Sequence, residues 1–298
     1  MRDAYAAHEA LVAPARRHAE FWRLLAGAGV VALLTVGLGI LYRTGLEALF
    51  QVVPALRVDL TRSDTAPTLL LMLYSFGLVI VAVVVAARTI HGRDPLSLVG
   101  PLPLALRQFG RVVGVLLLVH LALMLLPPYG GGGETQVVSN LDPRLWLMLL
   151  PLSLGGILLQ TGSEELLFRG YLQQTLAARF DARWIWMGVP AVLFGIGHYQ
   201  PGVAGANAPV IVAWAICFGL AAADLTARAG TLGPALALHM INNTGALLFV
   251  SVKGEMSGLS LATLPHGLDE VEKLTPWLVL DFAFLLVGWL AARLAIRR

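Results

Sequence analysis

The sequence predicts an all-α, polytopic helical membrane protein of about eight transmembrane helices, and three observations carry that expectation. Of 298 residues, 57% are hydrophobic and only 13% charged, where a soluble domain carries roughly 25% charged residues. The mean hydropathy is +0.76. Apolar runs recur at 22–42, 67–90, 112–126, 145–162, 184–197, 209–227, 233–250 and 276–296, most of them near the ~20 residues a helix needs to cross the hydrocarbon core. No stretch between them reads as a soluble domain, so 1–298 is expected to form a single integral membrane domain.

Each run has its own punctuation. The first follows a polar, Arg-containing segment over 1–20 and is too long for the apolar region of a signal peptide, so it reads as a spanning helix with a short leader. Residues 44–62 are mildly amphipathic and are expected to lie on the outer surface. Pro127, Pro128, Tyr129 and the glycines at 130–133 stop the third run and make a flexible loop. Gln200-Pro201-Gly202 stops the fifth. Residues 251–275 form an acidic outer loop. Eight crossings put both termini on one side. With the N-terminus inside, only Arg43, Arg57, Arg62, Arg144, Lys253 and Lys273 of the 21 basic residues fall outside. That bias makes both termini cytoplasmic. The third and fifth runs are short, and losing either would reverse every later loop.

Cys217 is the only cysteine, which excludes an intramolecular disulfide, a cysteine metal cluster and a CxxC redox pair. It reads as a small apolar filler. His120 is expected to be packed or hydrogen-bonded. Asp224 and Arg228 are expected to pair at a helix end, and Asp281 to cap its helix or meet interfacial water.

Three polar clusters remain where lipid penalises them, and intramembrane ionisable residues are functional by default. The first is Gly162-Ser163-Glu164-Glu165-Leu166-Leu167-Phe168-Arg169-Gly170. Adjacent helical residues point about 100° apart, so the two glutamates cannot share one task. Glu165 and Arg169, at i and i+4, can pair, leaving Glu164 free as a base. The second is Phe194-Gly195-Ile196-Gly197-His198, whose glycines let a neighbouring helix approach closely. The third is His239-Met240-Ile241-Asn242-Asn243. Here His239 and Asn243 again sit at i and i+4, while Asn242 has no evident task. Singly, each cluster also reads as juxtamembrane charge or an interhelical hydrogen bond. Together they are the inventory of a proton-handling hydrolytic site. Glu164, with His198, suits activation of water, and His239 with the Asn243 amide suits the oxyanion.

In this order the clusters resemble the CPBP family (CAAX-protease and bacteriocin-processing, or ABI), whose pattern is E-E-x-x-x-R, F-x-x-x-H and H-x-x-x-N or H-x-x-x-D. The resemblance covers roughly 145–250, the expected catalytic core. It implies a CAAX prenyl endopeptidase-like intramembrane protease, with a cavity open to the cytoplasm and Glu164 activating water beside His198. His239 and Asn243 would form the oxyanion hole, with Glu165 and Arg169 supporting and Phe168 and Phe194 meeting the substrate. That substrate would be a peptide or lipidated protein in the membrane. Eukaryotic relatives cut the last three residues from prenylated CAAX proteins; prokaryotic ones are linked to bacteriocin maturation or self-immunity. Arginine far outnumbers lysine, with abundant Ala, Leu and Gly, which leans to a bacterial protein of the inner membrane. A divalent metal such as Zn2+ is open: Glu164, His198 and His239 would be its ligands, though H-E-x-x-H is absent. Membrane lipid is the expected surrounding, and no nucleic acid is expected as partner. Two rivals stand: a transporter using the same residues as a proton relay, for which no internal repeat is found, and a non-catalytic pseudoprotease.

One geometric conflict follows. From residue 145, Glu164 is about 28 Å below the outer boundary at 1.5 Å per residue, and from residue 184, His198 is about 21 Å above the inner one. For these to meet, the fifth helix must tilt, start below the membrane plane or line a water-filled funnel. A charged stretch over 164–180 continuing as helix favours the funnel.

Overall fold

A computed structural model describes residues 4–125 and 137–297; the Pro127–Gly133 loop expectation lies outside them. The helices are α1 (Glu9–Val12), α2 (Phe21–Val52), α3 (Ala66–Ser75), α4 (Gly77–Thr89), α5 (Leu102–Met124), α6 (Pro143–Glu165), α7 (Gln173–Arg179), α8 (Val189–Gly197), α9 (Pro201–Ala204), α10 (Ala208–Ala229), α11 (Gly233–Thr244) and α12 (Val271–Ile296). Among the described residues the only sheet is a three-stranded ribbon of β1 (Val138–Ser139), β2 (Val250–Ser251) and β3 (Ala262–Thr263). Its order is β1-β3-β2, with β1 antiparallel and β2 parallel to β3. Asn140 ties it to the loop that follows, its amide donating to the carbonyls of Ser257 and Ser260 at 2.9 Å each.

The architecture is that of a polytopic helical membrane protein. Among the described residues six helices are long and apolar enough to cross a membrane: Phe21–Val52, Ala66–Thr89, Pro95–Leu123, Pro143–Arg179, Pro201–Ala229 and Val271–Ile296. The other two expected spans are shorter helices. Trp184–Gly197 holds a π-helical turn and α8, and α11 runs into another π turn at Gly245–Phe249.

Several boundaries differ from expectation, each for a local reason. Residues 44–52 continue α2 rather than lying on the surface. α5 begins at Leu102, because Gln108, which interrupts the hydropathy, is satisfied inside: it donates to the Ala229 carbonyl at 3.3 Å and accepts from Thr231 Oγ1 at 2.5 Å. α12 starts at Val271, so Asp281 lies within the helix and caps nothing. Cys217 is exposed on α10 rather than filling a gap. His120 donates Nδ1–H to the Leu116 carbonyl at 2.8 Å, and Arg228 donates to Asp224 at 2.8 Å, both as expected.

One end of the bundle gathers both ends of the described chain. Tyr5 donates to Asp224 Oδ1 at 2.7 Å and Trp289 to Asp224 Oδ2 at 3.0 Å, tying the N-terminal segment and the last turns of α12 to α10. Nearby, Arg93 donates to the Leu11 carbonyl at 3.0 Å and to Gln174 at 2.5 Å. The His8 ring packs at a tilt against Trp186 at 4.8 Å and meets Gln173 at 3.4 Å. The two ends thus share a face, as an even number of crossings requires.

Candidate active site

α6 starts where Asp142 accepts the amides of Arg144 and Leu145 at 2.9 and 3.1 Å, with Pro143 at the first helical position, where its missing N–H costs nothing. From there helix continues unbroken through Glu165, a π turn at Leu166–Leu172 and α7 to Arg179. Glu164 and Glu165 therefore sit inside a 37-residue helix, not at its end. Such π turns concentrate at functional sites, and this one carries Phe168 and Arg169.

The extension removes the depth conflict. Gln173 and Trp186 both touch His8 on the face that holds the chain ends. From that common level Glu164 lies nine residues up its helix and His198 twelve, so about 14 and 18 Å at 1.5 Å per residue. The expected helical continuation over 164–180 is present as far as Arg179, and it matches the expectation of a fifth helix that starts below the membrane plane, since residue 173 is about 42 Å along the helix from residue 145 against a core of about 30 Å. The short Trp184–Gly197 helix sets Phe194 beside Arg169 and His239.

Four polar side chains meet there. Arg169 Nη1 donates to Glu165 Oε1 at 2.9 Å, with both side chains 1% exposed. His239 Nδ1 approaches the same Oε1 at 2.8 Å. A carboxylate only accepts, so Nδ1 carries the hydrogen. This leaves Nε2 as the nitrogen that can exchange a proton, and it faces Glu164 Oε2 at 3.4 Å. Glu164 keeps 16% of its side chain exposed where Glu165 keeps 1%. The 100° offset divides the pair into an accessible carboxylate and a sealed one.

An aromatic wall surrounds this chain of charges. The Arg169 guanidinium lies 4.8 Å from the Phe194 ring and 5.8 Å from that of Phe218, close enough for cation–π attraction. Phe218 also sits 4.7 Å from His239. Phe168 packs edge-on to Phe194 at 5.2 Å. Phe194 is 3% exposed, so its contacts are with the site's own side chains. α8 and α10 approach closely to build the wall. A Cβ at Gly195 would stand 2.4 Å from Ile216 Cγ1, and one at Gly219 would stand 2.8 Å from Ala191. Gly197 has nothing within 4 Å, so the expected close approach is made at Gly195 alone.

Asn243 joins from α11. Its Nδ2 donates to Gln160 Oε1 at 2.9 Å, and Asn242 donates to its Oδ1 at 3.3 Å. Gln160 lies one turn before Glu164 and is 6% exposed. His198 is reached less directly. Its Nδ1–H is spent on the Phe194 carbonyl at 2.8 Å, and its ring lies 4.6 Å from that of Phe194. Among the described residues no hydrogen bond or ion pair joins it to Glu164 or His239. The structure thus brings together Glu164, Glu165, Arg169 and His239, sets Asn243 one helical turn away through Gln160, and links His198 only through Phe194. Nor do the residues fit a metal in this arrangement: among the described residues no three His, Cys, Asp or Glu groups gather as ligands.

Sequence reasoning missed Gln160 and Phe218. Gln160 had a signal, an amide in an apolar helix four residues before Glu164. Phe218, an aromatic residue in an apolar helix, had none.

Residues 143–245, from the first turn of α6 past the end of α11, match the family described as type II CAAX prenyl endopeptidase Rce1-like. The chain carries an Rce1-like domain. That domain indicates a CAAX prenyl endopeptidase-type protease, and with the apolar helices it indicates a multi-pass membrane protein. The residues matched include all six polar positions of the site. Comparisons with curated proteins and with solved structures find no match.

Proposed function

We propose that the Rce1-like domain hydrolyses a peptide bond in a membrane-associated, lipidated or CAAX-like peptide, using water activated by Glu164. The observation that carries this reading is the His239 imidazole, held by buried Glu165 through Nδ1 while Nε2 faces the more exposed Glu164. Glu164 takes a proton as the water oxygen attacks the scissile carbonyl carbon. The resulting oxyanion accepts an N–H from the Asn243 amide. As the C–N bond breaks, the leaving amine takes the proton back from Glu164, with His239 Nε2 in reach to share the transfer. Arg169 holds Glu165, and Glu165 holds His239 in one tautomer, as a carboxylate orients a catalytic histidine elsewhere. His198 assists from the aromatic wall. Glu164 Oε2, Glu165 Oε2 and Arg169 Nη2 are buried with no hydrogen-bond partner among the described residues, while the Glu164 side chain as a whole stays 16% exposed, which supports it as the group that meets water. No step passes through a metal.

The basic residues on the inner segments support cytoplasmic termini, and the arginine-rich composition supports a bacterial inner membrane. The test is hydrolysis of a farnesylated CAAX-type peptide and its unprenylated twin by the purified protein in liposomes. Glu164→Ala and His239→Ala are each expected to lower turnover by about 10³-fold or more, the scale of losing a catalytic base or the histidine that shares its proton, while the melting curve remains cooperative. Undiminished turnover in either variant overturns the assignment.

A further inference from the structure

A feature of the site outside the six polar positions is the buried amide of Gln160. It points at neither glutamate's partner but at Asn243, whose Nδ2 it accepts at 2.9 Å. A primary amide nitrogen has two hydrogens in one plane. With one committed to Gln160, the orientation of the other is set. On the far side of the same group Asn242 donates to Asn243 Oδ1 at 3.3 Å, so the amide is held at both ends. Gln160 is itself positioned, since it lies in the interior of α6, is 6% exposed, and is one turn from Glu164 on the same helical face. α6 thus carries the base and, four residues earlier, the group that aims the oxyanion donor.

We propose that Gln160 is a positioning residue for the hydrolysis, fixing the Asn243 amide relative to Glu164 so that its free N–H meets the developing oxyanion. This rests on the proteolytic reading given above. A donor left in place but free to rotate loses the preorganisation that makes such groups effective in the transition state. The effect therefore falls on kcat and not on substrate binding.

The experiment is a double-mutant cycle with Gln160→Met and Asn243→Ala, read as kcat and KM on the farnesylated peptide and, independently of activity, as melting temperature. Gln160→Met, close in volume and unable to accept, is expected to lower kcat about tenfold with KM within about twofold. In the Asn243→Ala background the same substitution should change kcat less than about twofold, because nothing remains to aim. Gln160→Glu, which can only accept, should keep the contact and show the smaller loss. Melting should be coupled too, with the double variant no less stable than the weaker single one. Equal losses in both backgrounds, a loss confined to KM, or no loss in Gln160→Met overturns the proposal. An inactive wild type would take down the proteolytic reading and this one together. An active wild type with additive variants takes down this one alone.

Discussion

α2 and the α6–α7 helix are both long, apolar and unbroken, yet they sort their residues in opposite ways. Of the 32 residues of α2 only Gly27, Val31 and Phe50 are buried, while Leu33, Val36, Ile40 and Leu41 are more than half exposed. The Pro143–Arg179 helix instead buries Gln160, Thr161, Ser163, Glu165, Arg169, Gln173, Gln174 and Thr175. In water the first pattern would be a fault and the second a costly core. In lipid both are stable, because hydrocarbon solvates leucine and leaves polar groups to find one another. Hydrophobicity therefore marks what crosses the membrane, and polarity marks what faces the inside of the bundle.

The largest break in that comparison is Arg169→Met. It leaves Glu165 buried with its charge unbalanced, for which losses of about 3–5 kcal/mol are typical. Leu33→Ala on α2, a lipid-facing change, should shift stability by less than about 0.5 kcal/mol. Parallel thermal melts in detergent check both, and a similar loss at the two positions would erase the distinction drawn between the helices.

A middle-sized effect is expected where α8 meets α10. Gly195→Ala sets a methyl group 2.4 Å from Ile216 Cγ1 and 3.0 Å from the Val212 carbonyl oxygen. Overpacking of this kind costs about 1–3 kcal/mol, and it should lower peptidase turnover by displacing Phe194. Gly197→Ala, with nothing within 4 Å, should change neither. Equal behaviour of the two would mean that α8 does not rely on close packing to hold the aromatic wall.

The smallest effect lies outside the membrane. Burial against Trp186 and Gln173 pushes the His8 imidazole down to about 4. Between that value and the ordinary 6.5 the unfolded segment binds a proton that the docked one does not. The stability contribution is therefore full above about pH 6.5 and falls as pH drops toward 4. His8→Phe should flatten that part of a pH–melting profile. An unchanged slope in the variant would assign the acid sensitivity to another group.

How much of this was legible beforehand varied with the physics involved. The fold class came from composition and run length, because a helix is the economical way to satisfy the backbone across lipid. The Glu165–Arg169 pair came from i,i+4 spacing, which is local geometry. The extents of α5 and α12 did not, since a hydropathy run stops at a polar residue but a helix does not when that residue finds a partner, as Gln108 does with Ala229 and Thr231. Depth could be narrowed to a few alternatives but not decided. The helix bearing Glu164 runs on to Arg179, and only its contact with His8 shows which face to measure from.

By itself, then, the sequence determined that this chain spans a membrane in helices and which six polar side chains are out of place there, because burial of polarity in lipid is costly whatever the fold. Which of them meet was decided by tertiary structure. His239 bridging the two glutamates, Phe218 covering it and Gln160 reaching Asn243 are contacts between α6, α10 and α11. Side-chain pairs on different helices have no spacing rule to read. They depend on how closely backbones pack, and here that is set by small residues such as Gly195 and Gly219, whose missing side chains leave room for their neighbours.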